Sequence, residues 1–403
     1  MRILIVTQYF WPENFRINEL SAGLVERGHE VTVLTGIPNY PSGKFYEGYG
    51  FFRNLRQNYS GAKVLRIPVI PRGRGGTFRL ALNYLSFIFF AVFLSPLICR
   101  GKFDLIFFSL SPVAEGIPAV FLKKLKKASL IFWVQDLWPE SLSAAGTFKN
   151  SFLHNLIRKI MAVIYSSCDK ILVQSRAFVP FVANMGVNKE KILYFPNFAE
   201  DFYFPINLDA AALERGSLPS GFIVMFAGNI GASQDFETII SAAEKLREHK
   251  DIYWVILGDG RMRRWVEEEI RCRNLNSQIS LLGKYPSEEM PRYFARADVM
   301  LVSLKNEEIF KYTIPSKIQS YLACAKPVIA SLDGEGAKII EESGAGFSCL
   351  PENPDILAQL VLKMYHMEKS KRIAMGLKGR EYFESNFERT LLVNQLNSLI
   401  NSV

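Results

Sequence analysis

Residues 224–231 read VMFAGNIG, an apolar run that ends in two glycines and is followed by a helical pattern. This order is typical of a buried strand that turns directly into a helix, whose first N–H groups and positive end attract an anion. The next two predicted strands end similarly, in LGDG (257–260) and GKY (283–285). Each motif alone also fits an ordinary tight turn. Three successive strand ends of this kind predict a parallel sheet with a phosphate-binding edge.

The same alternation of short apolar strands and helical patterns continues along the whole chain, interrupted by a connection near residues 195–220. It predicts an α/β fold with two Rossmann-like domains that face each other, and the interdomain cleft is the expected site. We predict an N-terminal domain over 1–198 and a C-terminal domain over 199–385. A final helix is predicted over 386–403, with the N-terminal domain as a candidate packing partner.

The composition describes a folded protein with an uneven charge. The chain has 403 residues, of which 49% are hydrophobic and 22% charged. These values exclude a disordered, collagen-like or disulfide-stapled chain. Residues 1–200 carry 24 Lys and Arg against 12 Asp and Glu (+12), and residues 201–403 carry 24 against 27 (−3). The basic excess is therefore a property of the first half, and no motif indicates a nucleic-acid binder.

The cysteines and the first residues indicate a cytoplasmic protein. The five cysteines include no CxxC pair, which predicts buried free thiols in a reducing compartment. The opening residues MRILIVT are too short an apolar run for a signal peptide and predict the first strand. The four histidines lack metal-ligand spacing and no DxD motif is present. We therefore expect neither a metal nor another cofactor.

One segment is apolar enough to belong to a membrane. Residues 80–99 read LALNYLSFIFFAVFLSPLIC, contain no charged residue and match the length of a spanning helix. A span would separate strands that look like parts of one sheet, so two alternatives stay open, a helix buried in the core and a helix in the membrane interface. Nearby basic residues favour the interface, since they attract anionic lipid. They are Arg72, Arg74, Arg79, Arg100, Lys102, Lys123, Lys124, Lys126 and Lys127.

A lysine in the second half lies where a helix is predicted to begin. Residues 311–330 read KYTIPSKIQSYLACAKPVIA, in which Pro315 and Ser316 start a helix and Lys317 falls in its first turn. A cation at that position opposes the helix dipole, and an anion bound at the helix end would explain it. A solvated surface lysine is the competing interpretation.

The first half offers two carboxylates for acid–base chemistry. Asp136 follows the hydrophobic strand 130–134 and Glu13 follows the first strand, so both should reach the same edge of the sheet. Helix capping is the alternative for each. Aromatic side chains nearby offer flat faces to a sugar ring or a lipid, with core packing as the alternative. The predicted acceptor-binding residues are Tyr9, Trp11, Asn14, Arg16, Trp138 and Glu140.

The PSK, YLA and KPVIA motifs of 315–330, with ARADVMLVSL before them and GAGFSCLPENPDILAQLV after them, carry a family resemblance. They resemble the nucleotide-sugar half of family 4 glycosyltransferases with the GT-B fold, and the resemblance covers essentially the whole chain. The segments TQYFWPENFRINELSAGL and WVQDLWPESL narrow it to the bacterial O-antigen and capsule branch, which includes a fucosamine transferase.

This resemblance implies an activity and two partners. A UDP-sugar donor would bind the C-terminal domain, and a polyprenyl-diphosphate-linked saccharide would bind the N-terminal domain at the anionic inner face of the plasma membrane. The sugar would be an N-acetylated 6-deoxyhexose such as L-fucosamine, transferred with retention. Two rival functions stay open, a UDP-sugar 2-epimerase and a non-catalytic subunit that binds a sugar nucleotide or lipid.

The sequence also departs from the family. Many members carry two glutamates eight positions apart, but here the second position is Ser320 and the first has no glutamate, with Glu307 and Glu308 just upstream. Asn229 and Gln234 replace the usual Arg and Lys of the phosphate loop. We expect Arg261, Arg263, Arg264 and Lys317 to hold the diphosphate instead. The full predicted donor site is Gly228, Asn229, Gly231, Gln234, Gly258, Asp259, Arg261, Arg264, Lys284, Tyr285, Ser316, Lys317 and Ser320.

Overall fold

Two compact α/β units make up the chain. The first consists of Met1–Pro196 with Leu392–Val403, and the second of Asn197–Leu391. The division falls two residues before the predicted boundary at 198, and the chain returns to the first unit at Leu392 rather than at 386. The structure, a computed structural model, describes residues 1–73, 76–109, 112–140, 151–207 and 218–402.

The first unit is built on an eight-stranded sheet. Its strands are β1 (Arg2–Val6), β2 (Glu30–Gly36), β3 (Arg56–Tyr59), β4 (Ala62–Ile67), β5 (Leu105–Phe108), β6 (Ser129–Val134), β7 (Lys170–Val173) and β8 (Ile192–Tyr194). They are ordered β3-β4-β2-β1-β5-β6-β7-β8, and only β3 is antiparallel to its neighbour. Strand β3 was not predicted from the sequence, because its residues RQNY show neither an apolar run nor a clear alternation.

Helices flank this sheet, and one of them is only partly buried. They are α1 (Arg16–Glu26), α2 (Thr77–Ile98), α3 (Pro112–Lys126), α4 (Ser151–Ser167) and α5 (Phe178–Asn184). Helix α2 contacts α3 and β4, but only 28% of its most apolar stretch is inside the protein. The interpretation of this segment as a core helix is therefore wrong. Among the described helices, it alone is long and apolar enough to cross a membrane.

The second unit contains a six-stranded, all-parallel sheet. Its strands are β9 (Phe222–Ala227), β10 (Ile252–Leu257), β11 (Ile279–Gly283), β12 (Val299–Ser303), β13 (Val328–Ser331) and β14 (Gly346–Cys349). They are ordered β11-β10-β9-β12-β13-β14. Strands β10 and β11 are therefore added on one side of β9, and β12, β13 and β14 are added on its other side. A ligand crevice is expected at the carboxyl ends of the strands where this direction reverses.

Nine helices of the described chain follow β9. They are α6 (Phe236–Lys245), α7 (Arg263–Cys272), α8 (Met290–Arg296), α9 (Glu308–Lys311), α10 (Ser316–Ala323), α11 (Glu335–Ser343), α12 (Pro354–His366), α13 (Lys369–Asn386) and α14 (Arg389–Ile400). Most of helix α14 belongs to the first unit. There, Arg27 Nε donates to Asn394 Oδ1 (2.8 Å) and the His29 ring bonds Asn397 Oδ1 (2.7 Å).

The cysteines are all free thiols. Four of them are buried, as predicted, and desolvation raises the pKa of each, to about 12 for Cys99 and Cys324. Cys272 is exposed at the end of α7, so the prediction of burial is wrong for this residue.

Candidate functional site

A cavity of about 560 Å³ opens in the second unit at the carboxyl ends of β9, β10 and β11, against the start of α10. This is the edge where the glycine motifs predicted a phosphate site. The cavity is lined by nine of the thirteen residues predicted for the donor, namely Gly228, Asn229, Gly258, Asp259, Lys284, Tyr285, Ser316, Lys317 and Ser320.

Two glycines at this edge are required by close approaches. Gly228 has φ 147°, and a Cβ there would lie 2.4 Å from Cε of Lys317. Gly258 has φ 143°, and a Cβ there would lie 1.8 Å from the carbonyl oxygen of Gly228. The backbone N–H of Gly228 donates to Leu257 (2.9 Å), and that of Gly258 donates to Gly283 (2.7 Å). The three strand ends therefore form one closely packed floor without side chains, which a ligand can approach.

Lys317 is an uncompensated cation beside this floor. Its Nζ donates to Oε1 of Gln234 and lies 4.9 Å from the centroid of the Phe226 ring. Desolvation lowers the pKa of the Lys317 ammonium to about 8. Within the described part of the chain, no carboxylate lies within 4.0 Å of it, unlike many of the lysines and arginines at the surface. A partly buried cation without an anion, in the first turn of a helix, is suited to bind a phosphate group.

Helix α10 is fixed to the sheet by Tyr321. The buried Tyr321 hydroxyl accepts from the backbone N–H of Ala227 (3.0 Å) and donates to the Ala227 carbonyl (3.1 Å). Desolvation raises the pKa of this phenol. Ser320, one residue earlier, donates to the Ser316 carbonyl (3.3 Å) at the cavity wall. The position where many family members have a glutamate therefore presents a hydroxyl.

The arginines expected to hold the diphosphate do not reach this cavity. Arg263 and Arg264 pair with Glu267 (2.8 Å) and Glu268 (3.0 Å) one turn along α7, and the Arg264 side chain is 90% exposed. Arg261 is also exposed and outside the cavity lining. Gly231 and Gln234 do not line it either, although Gln234 holds the ammonium of Lys317. None of these three arginines lines the cavity, and the cations that do line it are Lys284 and Lys317.

The upstream glutamates are also elsewhere. Glu308 bonds the Tyr312 hydroxyl and lies 3.7 Å from Nζ of Lys311, and neither Glu307 nor Glu308 lines the cavity. Asp259 is the single carboxylate among the lining residues.

A larger cavity of about 800 Å³ lies at the opposite edge of the same sheet. It is lined by Gly221, Asp298 and Pro327, which precede β9, β12 and β13, and by Asn207 and Leu218, which flank an undescribed segment. Parallel sheets bind ligands at the carboxyl ends of their strands, so this cavity is not the candidate donor site.

In the first unit, Glu13 is buried and both of its carboxylate oxygens accept hydrogen bonds. Its Oε1 accepts from the backbone N–H groups of Asn39 (2.7 Å) and Tyr40 (2.7 Å), and its Oε2 accepts from that of Phe10 (3.2 Å). Desolvation raises the pKa of Glu13 to about 7, although these hydrogen bonds oppose the shift. Glu13 therefore joins the segments that follow β1 and β2, and it does not cap α1.

Asp136 contrasts with Glu13. It lies two residues after β6 and its side chain is exposed, yet desolvation by the surrounding protein raises the pKa of its carboxyl group. No described residue donates a hydrogen bond to it. An accessible carboxylate of raised pKa is the more suitable general base of the two.

The remaining acceptor residues form two groups. Tyr9 stacks on Phe15 with ring centroids 5.5 Å apart, and Trp11 packs on Tyr59 at 5.6 Å. Trp138 contacts Tyr84 of α2 at 6.2 Å. Three others are not part of these ring contacts: Asn14, which is exposed, Arg16, which begins α1, and Glu140, which precedes the undescribed residues 141–150.

A polar link that no sequence motif predicted joins α2 to the residues that follow β1. The buried Asn83 Oδ1 accepts from Nε2 of Gln8 (2.7 Å) and from the Tyr9 hydroxyl (3.0 Å). Its Nδ2 donates to the Ile70 carbonyl (2.6 Å). Asn83 interrupts the apolar run of residues 80–99, and it fixes α2 to the strand edge that carries Tyr9. An isolated amide within such a run was the available signal.

Comparison with known proteins identifies the class. A model described as "Glycosyl transferase 4-like domain" matches residues 14–197, and one described as "Glycosyl transferases group 1" matches residues 214–382. Together they account for most of both units. The chain therefore belongs to the family 4 glycosyltransferases of the GT-B fold.

Individual relatives agree with this class. The putative colanic acid biosynthesis glycosyl transferase WcaI of Escherichia coli K12 is 27% identical over 421 residues, 100% of each chain. The probable glycosyltransferase WbjE of Pseudomonas aeruginosa is 27% identical over 278 residues, 67% of each. Sucrose-phosphate synthase from Thermosynechococcus elongatus has a TM-score of 0.75 at 15% identity, covering 100% and 98% of the two chains. HepE of Anabaena, solved with UDP and glucose, has a TM-score of 0.72 at 15% identity over 100% of both.

Proposed function

We propose that this protein transfers a sugar from a UDP-sugar to a polyprenyl-diphosphate-linked saccharide at the inner face of the plasma membrane, in the assembly of a cell-envelope polysaccharide. The main support for a UDP-sugar donor is Lys317, because its uncompensated ammonium faces a cavity at the start of α10. Structures of the similarly folded HepE contain UDP and UDP-glucose, which supports this donor class. The name of WcaI supports the polysaccharide class.

In this proposal the residues have distinct tasks. Lys317, Lys284 and the N–H groups of α10 stabilise the charge that develops on the departing UDP. Asp259 and Ser320 bind hydroxyl groups of the donor, in place of the missing glutamates. Asp136 takes the proton of the acceptor hydroxyl as its oxygen bonds to the anomeric carbon, and the bond between that carbon and UDP breaks with its electron pair on UDP.

Two finer features rest on the resemblance alone, namely an N-acetylated 6-deoxyhexose such as L-fucosamine as the sugar and retention of configuration. A third, independence of metal ions, rests on the missing DxD motif and the histidine spacing. A carboxylate base at Asp136 also fits an inverting path, so NMR of the product anomer is the deciding measurement for stereochemistry. For the metal, we expect turnover to be unchanged by EDTA.

The pKa of Lys317 gives a test of the donor site. Bound diphosphate favours the ammonium form, so UDP binding takes up a proton when the solution pH is above about 8, the pKa of the free protein. We expect the Kd for UDP to rise only about twofold from pH 7 to 8 and then to approach a tenfold rise per pH unit. Isothermal titration calorimetry from pH 7 to 9.5 measures this. Lys317→Arg, which stays charged, should have a flat profile, and an equal rise in that variant would contradict the assignment.

The exposed side of α2 supports membrane attachment. Phe78, Leu85, Phe89, Phe93 and Leu97 are each more than half exposed, and their spacing of four or seven places them on one face. Residues 48–103 contain nine Arg and Lys and no Asp or Glu. Such a helix in a basic segment fits the interface of an anionic membrane.

This attachment has a direct test. We expect Phe89→Ser with Phe93→Ser to weaken binding to anionic phospholipid vesicles at least tenfold, because two exposed rings no longer insert. Vesicle co-sedimentation measures this. Phe152→Ser is the control, since that ring is 75% exposed on α4. Equal binding of the double variant and the wild type would contradict a role of α2 in attachment.

Two other functions make different predictions. A UDP-sugar 2-epimerase would act without an acceptor and would need no exposed apolar helix. A non-catalytic binding subunit, which the missing glutamates suggest, would bind UDP without turnover. A UDP titration combined with separate assays for sugar transfer and for 2-epimerisation of the UDP-sugar distinguishes all three.

A further inference from the structure

Arg72, which lies between β4 and α2, is a cation with no acidic partner. The carbon at the centre of its guanidinium lies 5.5 Å from the ring centroid of Tyr9 and 5.0 Å from that of Tyr40. Its backbone N–H donates to Oδ1 of Asn39 (3.1 Å). Among the described residues, no carboxylate lies within 4.0 Å of the guanidinium. Two aromatic rings therefore hold the group in place while its N–H donors stay available for an anion.

An apolar groove begins at Ile70, two residues before this arginine in the chain. It measures about 610 Å³ and is lined by Ile70 and by residues of α2 that include Leu82, Phe89 and Phe93. Apart from Ser86, every lining residue is hydrophobic. A groove of this composition on an exposed helix is suited to a hydrocarbon chain.

The segment that joins Arg72 to the groove is fixed in position. The Ile70 carbonyl accepts from Nδ2 of Asn83 (2.6 Å), and the Ile70 N–H donates to Oγ of Ser86 (2.9 Å). Asn83 and Ser86 are both buried. The arginine and the groove are therefore parts of one rigid arrangement along the first half of α2.

The same arrangement reaches the residues of the candidate acceptor site. Tyr9, which stacks on Arg72, bonds Asn83 through its hydroxyl, and the neighbouring Tyr84 contacts Trp138. Trp138 lies two residues after Asp136. A ligand whose charged group bound Arg72 could place its apolar tail along α2. The part of the ligand on the other side of the charged group would then point toward the strand edge that carries Asp136.

We propose that Arg72 binds the diphosphate of the lipid-linked acceptor and that the groove on α2 takes the first isoprene units of its chain. This inference rests on the proposed function, because it assigns the lipid-diphosphate acceptor to particular residues. Charge complementarity decides the occupant. A protein helix or a bilayer of uncharged lipid would fill the groove without needing the arginine at its end, whereas a polyprenyl diphosphate carries an apolar chain and an anion in that order.

The test measures binding of farnesyl diphosphate to the full chain by calorimetry, with the donor site saturated by UDP so that Lys317 does not contribute. We expect Arg72→Met to weaken farnesyl diphosphate binding at least tenfold, since a charged hydrogen bond is lost. Phe89→Ser should weaken it as well, because apolar contact is lost. Inorganic diphosphate should bind more weakly than farnesyl diphosphate to the wild type, which distinguishes a lipid site from a site for free phosphate.

Arg100→Met is the matched control. Arg100 follows the end of α2, about 33 Å from its start, and is exposed. Its replacement removes the same charge and should leave binding unchanged. Thermal melting and an unchanged Kd for UDP show that each variant is folded.

Binding of farnesyl diphosphate to Arg72→Met within twofold of the wild type would overturn the inference. That outcome would leave the proposed function intact if the same variant still transferred labelled sugar to a lipid-linked acceptor with the wild-type KM. Failure of the wild type to bind UDP would instead refute the proposed function.

Discussion

Replacement of Asp136 by asparagine is expected to lower kcat by roughly 10²- to 10⁴-fold with the Kd for UDP within twofold of the wild type. Asparagine has the shape of aspartate but cannot take up the proton of the acceptor hydroxyl. Because no described residue donates to the Asp136 carboxylate, the substitution removes no structural hydrogen bond. Initial rates with a radiolabelled UDP-sugar and a lipid-linked acceptor measure the effect.

Two further variants make this result specific. Asp104→Asn is the matched control, because Asp104 precedes β5 at the opposite edge of the sheet and accepts from the backbone N–H of Arg2 (2.6 Å), a bond that an amide oxygen retains. Its rate should be unchanged. Glu13→Gln should lower the free energy of unfolding by about 1–3 kcal/mol through its buried hydrogen bonds. If Asp136→Asn kept near-normal turnover, Asp136 would not be the base.

The second large effect concerns the donor site. Lys317→Met is expected to weaken UDP binding by about 10- to 100-fold, since a charged hydrogen bond to phosphate contributes about 1.5–3 kcal/mol. The same change should leave the free energy of unfolding equal or higher, because burial of the ammonium is unfavourable without an anion. Weaker UDP binding together with an equal or higher free energy of unfolding would show that the charge of Lys317 serves binding and does not stabilise the fold. Calorimetry and chemical denaturation measure the two quantities.

The control for this experiment is Lys338→Met. The Lys338 side chain is 66% exposed on α11 and pairs with Glu335 at 3.1 Å. Its loss should change UDP affinity by less than twofold. If Lys317→Met bound UDP as tightly as the wild type, the assignment of the donor site to the cavity of the second unit would be contradicted.

Local sequence patterns predicted most of the fold. The apolar runs that became β9 and β10 ended in Gly228 and Gly258. The structure shows why glycine is needed there, since both residues have positive φ and a Cβ on Gly258 would collide with the Gly228 backbone. The hairpin strand β3 was missed because its polar residues pair only with β4 and carry no pattern of their own. The fold class could be predicted because buried parallel strands appear in the sequence as short, nearly continuous apolar runs.

The candidate sites were harder to predict from the sequence, because the partners of a side chain depend on tertiary contacts. Arg264 looked like a phosphate ligand until its pairing with Glu268 was seen. Glu13 and Asp136 looked alike in sequence, and only their burial and hydrogen bonds separate a structural carboxylate from an accessible one. Arg72 and Asn83 carried no motif, since their partners Tyr40 and Gln8 are far away along the chain.

The central proposal is transfer of a sugar from UDP to a lipid-linked acceptor, and one assay tests it most directly. Purified protein is incubated with radiolabelled UDP-sugars and polyprenyl-diphosphate-linked saccharides, and label in the organic-extractable lipid is counted. We expect label to enter the lipid with release of an equal amount of UDP, and to be lost in Asp136→Asn. Absence of transfer from UDP-, GDP- and dTDP-sugars by a protein that still binds UDP would contradict the account.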